Sequence, residues 1–430
     1  MLDPRFIREH AKEIKDSLKK RNLAADSVDK WLKLDEEFRK IKTDVDELRH
    51  ERNTASLKIN ELKKQGKEKE AVQVIKRIKE LPEKIKEAEE KLIKTESEVK
   101  RILWDIPNML AKDVPSGKSE QDNKVLRIVG KAPKFKFHPK DHLELLQNLD
   151  LIDSERANKV AGAGFYYLKE ELAILDISLQ RFAIDFLRKK GFKLVEPPLM
   201  LHHKPYSGAT SLKAFEDVMY KIENEDLYLI ATSEHAIASM LMDETLLEEN
   251  LPIKLTGVSP CFRKEVGTHG KYTKGLFRMH QFNKVEQFVF CLPEQSEKLF
   301  NELQKNSEEM FKLLGIPYRV VLLCSADTGA VAAKTYDIEI LMADKQYRES
   351  GSNSDCTDYQ ARRLNIKYKE KEGMQPKGFV RTLNNTGIAT SRVMLAIIEN
   401  NQQADGSIKI PKVLQKYTGF KEIKALKKKK

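Results

Sequence analysis

From Trp31 onward, apolar or near-apolar residues recur at alternating spacings of three and four: Trp31, Leu34, Phe38, Ile41, Val45 and Leu48, then Ala55, Ile59 and Leu62, with Arg52 interrupting. That spacing is the seam of a coiled coil. A second seam runs through Ala71, Val74, Ile78, Leu81, Ile85, Ala88, Leu92, Val99 and Ile102, with Thr95 as its polar interruption. Gln65-Gly66-Lys67 lies between the two and is the expected reversal point. Two heptad helices joined by so short a turn predict an antiparallel hairpin over about residues 28–103. At ~1.5 Å rise per residue each arm is about 50 Å long. Pro82 removes a helical hydrogen bond and is expected to kink or locally break the second arm.

The heptads stop at Ile106-Pro107-Asn108, and residues 112–141 are rich in Pro, Gly and charge. The chain therefore divides into an N-terminal domain, 1–110, and a second domain, 111–430, whose first residues, 111–141, read as a linker and whose last, 421–430, form a basic tail. Beyond the linker, strand-like runs (227–230, 319–323, 338–342) mix with helix-like ones (171–190, 294–314). This mixture predicts an α+β domain on a largely antiparallel sheet flanked by helices.

Charge narrows the class of partner. With 78 Lys+Arg against 66 Asp+Glu the formal net charge is +12, which favours a polyanion such as nucleic acid. The Lys427 to Lys430 run reads as a solvated tail. No long apolar run suited to a membrane span is present, and the N-terminal residues lack the apolar core of a secretory signal, so a cytoplasmic enzyme with no membrane association is expected. The four cysteines, Cys261, Cys291, Cys324 and Cys356, form no C-x-x-C pair, so neither zinc nor a disulfide framework is expected. No P-loop or Rossmann glycine pattern occurs, so any ATP is held by other means.

Candidate chemistry lies in Phe262-Arg263-Lys264-Glu265 and in Leu276-Phe277-Arg278-Met279-His280-Gln281-Phe282, which read as strand, loop, strand. A guanidinium fork suits phosphate and a flat ring suits adenine. The same pattern also occurs in ordinary charged surface hairpins. Taken with Gly191-Phe192 to Pro197-Pro198 and with Gly387 to Arg392 followed by a helical run to Glu399, however, these segments resemble motifs 2, 1 and 3 of class II aminoacyl-tRNA synthetases, in the right order. Thr232-Ser233-Glu234, His280 to Glu286, Asp358 to Arg363, Glu399 to Gly406 and the hairpin segment Glu47 to Asn53 are similar to the seryl family.

The resemblance implies ATP-dependent activation of L-serine and its transfer to tRNA(Ser), and leaves tRNA(Sec) open as a second acceptor. It implies Arg263 and Arg392 as catalytic residues, and Arg263, Lys264, Glu265, Met279, Phe282, Glu349, Ser350, Gly351, Ser352 and Arg392 around ATP. Glu349 and Ser352 would hold magnesium with the nucleotide. Thr232, Ser233, Glu234, Arg263, Glu286, Asn384 and Thr386 would receive serine. It further implies a homodimer through motif 1 near Pro197 and Pro198, and a hairpin that grips tRNA. The alternative is a noncatalytic synthetase-like protein that binds tRNA or protein. Such a chain is expected to have lost Arg263, Glu286, Glu349 or Arg392, and all four are present.

Overall fold

The structure is a computed structural model that describes residues 1–211, 217–265 and 276–426. The lysine run at 427–430 and part of the stretch between Arg263 and Arg278 lie outside the described residues. The chain divides into two compact units, Met1–Pro107 and Asn108–Lys430.

In the first unit two short helices, α1 (Pro4–Glu9) and α2 (Ala11–Lys20), precede the long helix α3 (Asp26–Lys64). The return arm is α4 (Glu68–Arg77) and α5 (Leu81–Asp105). Trp31, Ile41, Val45, Ala55 and Leu62 of α3 are buried, as are Ala71, Leu81, Ile85, Val99 and Leu103 of the return arm. Thr95, the polar position in the second seam, is buried too, and its hydroxyl donates to the Lys91 carbonyl one turn back. The reversal at Gly66 has φ +72°, and the Gly66 and Lys67 amides donate to the Lys63 and Leu62 carbonyls, closing the helix end with the left-handed glycine that such a cap favours. Across the arms, Arg49 donates through Nε and Nη2 to Glu89 Oε1 at 3.0 and 2.7 Å. The second arm is interrupted just before Pro82, which sits in the first turn of α5, where a missing N–H leaves no intrahelical bond unmade.

The second unit is built on an eight-stranded sheet. Its strands are β1 (Lys124–Val129), β2 (Lys193–Val195), β3 (Ile253–Phe262), β4 (Gln281–Cys291), β5 (Tyr318–Leu322), β6 (Lys334–Leu341), β7 (Tyr347–Asp355) and β8 (Arg381–Ala389). The spatial order is β1-β5-β6-β7-β8-β4-β3-β2, with every pairing antiparallel except β2 with β3. Helices α6 (Glu170–Lys189), α9 (Ser296–Leu314) and α11 (Thr390–Asn400) supply one side of the main core, where Leu179, Phe182, Phe311 and Ile397 meet Val285, Val289 and Leu383 of the sheet. On the other face α7 (His203–Ala209), α8 (Ser233–Ser239) and α10 (Tyr359–Leu364) form a smaller cluster in which Ala209, Ile237 and Leu364 join Phe288 and Phe290.

The two compact units part after Pro107, close to the expected boundary; Asn108 is buried and its Nδ2 donates to the carbonyls of Val331 and Cys356, tying it to the second unit. The stretch 111–141 is not merely a linker. Its residues 124–129 pair with β5 as the edge strand of the sheet, and the charges of Lys124 and Arg127 suit an edge with one solvated side.

Candidate active site

Strand periodicity assembles most of the site. On β4, side chains at even positions share a face: Phe282, Lys284 and Glu286 line a cavity of about 350 Å³, and Phe288 and Phe290 continue into the smaller apolar cluster. Val285 and Val289 point the other way into the main core. Opposite Glu286 in the ladder stands Thr386 of β8, and Asn384 lines the same cavity.

Two bulges complete the wall. Between Thr386 and Ile388 the register slips by one residue, Gly387, which sends Ile388 into the core and turns Ala389 toward the cavity. A side chain at Gly387 would bring a Cβ to 3.0 Å from the Val285 carbonyl oxygen, a tight contact that favours glycine there. A second slip places Glu349 opposite Glu339 and Gly351 opposite Ile338, leaving Ser350 as the extra residue. In a regular strand Glu349 and Ser352, three apart, would face opposite sides, whereas the bulge lets both line the cavity. At Gly351 an added Cβ would lie 2.7 Å from the Thr386 Cβ, so the β7 backbone closes on the Thr386 side chain only because residue 351 lacks one.

The polar contacts divide into pairs. Arg392 Nη1, at the start of α11, donates to the carbonyl oxygen (3.1 Å) and to Oε1 (2.9 Å) of Glu349. Glu349 is half exposed, and the Arg392 charge, more than its surroundings, holds its carboxyl below the ordinary value. Lys284 Nζ lies 2.5 Å from Glu286 Oε2, both side chains being buried. Burial pushes the Glu286 carboxyl up while Lys284 pulls it back. Glu234, beside them, is pushed up to about 7 by burial and then by the charge of Glu286. His235 is driven down to about 3 by burial and by the nearby Lys284 and Arg263, so its ring is neutral. Arg263 follows β3; its N–H donates to the His280 carbonyl at 3.0 Å, its Nε to that of Ala231 at 3.3 Å, and its guanidinium stands 5.3 Å from the Phe282 ring centre.

The cavity thus collects Thr232, Glu234, Arg263, Phe282, Glu286, Glu349, Ser350, Gly351, Ser352, Asn384, Thr386 and Arg392. Four other candidates are not brought to its wall. Ser233 is fully buried with its hydroxyl turned toward Gly257 of β3, because the first turn of α8 packs there. The Met279 side chain belongs to the main core. Glu265 is engaged by Arg278 at 3.2 Å, and Lys264 lies 5.9 Å from the Tyr220 ring. Lys284 and Asp337 were overlooked by the sequence reading. Lys284 was legible, since it alternates with Phe282 and Glu286. Asp337 was not, because it is found only through its ladder partner Ser352; burial, then the charge of Glu349, raises its carboxyl well above the usual range. All four cysteines are free and buried. Among the described residues there is no cluster of three or more His, Cys, Asp or Glu able to hold a metal ion by itself, and no helix is long and apolar enough to cross a membrane.

This arrangement offers two arginines for phosphate oxygens and a ring for a base beside a pocket with paired carboxylate and ammonium groups. Residues 218–401 match the model of the tRNA synthetase class II core domain (G, H, P, S and T), and residues 1–110 that of the seryl-tRNA synthetase N-terminal domain. The serine–tRNA ligase of Methanospirillum hungatei JF-1 is 48% identical over 428 residues, covering 98% of this chain and 100% of that protein. The chain belongs to the seryl-tRNA synthetase family. The structure of seryl-tRNA synthetase from Pyrococcus horikoshii complexed with ATP superposes with a TM-score of 0.93 at 45% identity, covering 99% of this chain and 100% of that one. The cytoplasmic serine–tRNA ligase from Naegleria fowleri in complex with AMP gives 0.87 at 34% identity, with 99% of both chains covered. The helical hairpin and antiparallel sheet expected for this family are both present.

Proposed function

We propose that this chain activates L-serine with ATP in the cavity between β3, β4, β7 and β8 and then transfers the seryl group to tRNA(Ser) in the cytoplasm. The observation that carries the reading is the convergence of Arg263, Arg392 and Glu349 with the Lys284–Glu286 pair, Glu234 and Thr386 in one cavity. A serine carboxylate oxygen attacks the α-phosphorus of ATP, the bond to the β-phosphate oxygen breaks, and pyrophosphate leaves. A hydroxyl of the terminal tRNA ribose then attacks the seryl carbonyl, and AMP leaves.

No side-chain nucleophile takes part. Arg263 stabilises the charge moving from carboxylate to phosphoryl oxygens, Phe282 stacks on adenine, and Arg392 holds the outer phosphates. Glu265 accepts from the adenine edge once it is released from Arg278. Glu234, Glu286 and Thr232 receive the ammonium and hydroxyl of serine, and Thr386 meets the hydroxyl. An alanine would leave these buried groups without a partner. Threonine is excluded by volume, because Thr386 already packs against the backbone at Gly351.

Magnesium fits this donor set. Mg²⁺ takes one or two protein oxygens and completes its shell with phosphate and water, so a closed cage of side chains is not required. Glu349 and Ser352 would hold it, with the buried Asp337 behind Ser352 carrying one carboxyl oxygen that makes no hydrogen bond among the described residues. When bound, the ion would neutralise charge on the leaving pyrophosphate.

A homodimer through the motif 1 region is supported by apolar side chains left exposed there: Ile174 and Ile177 of α6, Leu194 of β2, and Leu199 and Met200 beyond Pro197-Pro198. Ile177→Lys is expected to shift sedimentation from dimer toward monomer. A wild-type chain sedimenting as a monomer at micromolar concentration would rule the dimer out.

The hairpin of α3, α4 and α5 is proposed to grip the long variable arm of tRNA(Ser), and of tRNA(Sec) if that acceptor is used. Duplex RNA is read mainly by shape and backbone contacts, which a long rod with paired surface charges can make. The deciding test is ATP–pyrophosphate exchange with each amino acid in turn. Exchange with serine alone is expected; none with serine would leave the noncatalytic reading standing.

A further inference from the structure

Behind the serine pocket, outside its lining, lies a buried amide that the motif roles above leave unused. Gln360 of α10 is fully buried. Its Nε2 donates to the Ala209 carbonyl at 2.7 Å and to Glu234 Oε1 at 3.3 Å, and the Thr382 hydroxyl donates to its Oε1 at 2.6 Å. The orientation of the amide follows from its partners. A carbonyl oxygen can only accept, so the nitrogen must face Ala209 and Glu234, which leaves the oxygen for the equally buried Thr382.

The platform beneath is braced as well. The adjacent Arg363 donates through Nη1 to the Ser207 and Thr210 carbonyls and through Nη2 to the Tyr359 hydroxyl, locking α10 to α7 and the residue after it. Thr210 and Glu234 both line the cavity, so one buried helix fixes two pieces of its wall.

We infer that Gln360 is a positioning residue for amino-acid recognition: held by Thr382, it grips one oxygen of Glu234 and so aims the other at serine. This rests on the serine-pocket reading of the cavity. An isolated carboxylate has two equivalent oxygens and a rotatable terminal bond, whereas one oxygen tied to a fixed amide leaves a single acceptor of defined direction. Glu234 also faces Glu286 and Lys284 of β4, Arg263, Tyr206 of α7 and Cys356 after β7. Any change at Gln360 therefore acts on a group already balanced between charges of both signs.

The test uses the full chain and reads serine and ATP separately in pyrophosphate exchange. Gln360→Met, close in size but without polar atoms at its end, should raise the KM for serine about tenfold or more while the KM for ATP changes less than twofold. Gln360→Glu sets a second carboxyl beside Glu234. Like charge disfavours ionisation, so the acidic limb of kcat/KM for serine should move to higher pH, a shift that a purely structural role would not produce. Thr382→Val, which frees the amide to turn, should act in the same direction more weakly. An unchanged serine KM in a Gln360→Met protein with wild-type melting temperature would overturn the inference. So would serine and ATP KM values rising together with no displacement of the pH profile. Failure of the wild-type chain to exchange with serine is a different result, since it would remove the pocket reading itself.

Discussion

Replacing Arg263 by alanine is expected to lower serine-dependent pyrophosphate exchange by on the order of a thousandfold, with most of the loss in kcat. The side chain lines the cavity with Phe282 and the Lys284–Glu286 pair, held by the Ala231 carbonyl at Nε, while its own N–H is fixed to His280. A guanidinium fixed in advance stabilises charge as it develops, without reorganising at the moment of reaction. Removing one such donor from other enzymes costs about 10²–10³ in kcat, or ~3–4 kcal/mol. A lysine at 263 should recover little, because it lacks the planar fork that spans two oxygens. Binding of tRNA, measured separately by filter retention, should remain within about twofold if the hairpin carries it, since Arg263 lines the cavity of the other unit. Exchange persisting near the wild-type rate would transfer the phosphate role from Arg263 to Lys284 or Arg392.

The second large effect belongs to the other unit. Arg49 and Glu89 face each other across the hairpin at 2.7 Å, so excising the residues between them shortens the arm without disturbing register below. Helix axes in contact lie about 8–10 Å apart, a gap that roughly four glycines can bridge. Ile41, Val45, Thr95 and Val99 remain as the base seam of the shortened arm. Exchange should stay within about twofold of wild type, since the second unit keeps its own core and the whole cavity. Charging of a tRNA with a long variable arm should fall by about 100-fold, equivalent to ~2.8 kcal/mol of lost binding. Charging that survives the excision would mean that the arm does not grip the tRNA.

Much of the site was legible because it obeys local periodicity. The heptads at 31–62 and 71–102 gave the two arms, and Gly66 the reversal, since a seam and a left-handed turn are properties of a few consecutive residues. On β4 a period of two brings Phe282, Lys284 and Glu286 to one face, and that rule alone would have added Lys284 to the candidates. The motif resemblance supplied Arg263, Glu349, Thr386 and Arg392, which the fold then brought into one cavity from the end of β3, from β7 and β8, and from a helix start.

The sequence by itself determined the hairpin, some of the helices and strands, and most of the residues that meet in the cavity, because those follow from side-chain spacing and recognisable motifs. Only the tertiary structure decided which of them face the cavity. The extra residues Ser350 and Gly387 shift strand phase, so that Glu349 joins Ser352 and Ala389 replaces Ile388 at the wall. A bulge is a mismatch between two strands and cannot be seen in either one alone. The same holds for Asn108, drawn into the second unit by carbonyls more than two hundred residues away, and for residues 124–129, which become a strand by pairing with 318–322. It holds as well for Gln360, whose place behind Glu234 depends on Ala209 and Thr382. Each of these depends on a hydrogen bond between distant segments, which chain spacing does not encode and packing alone brings about.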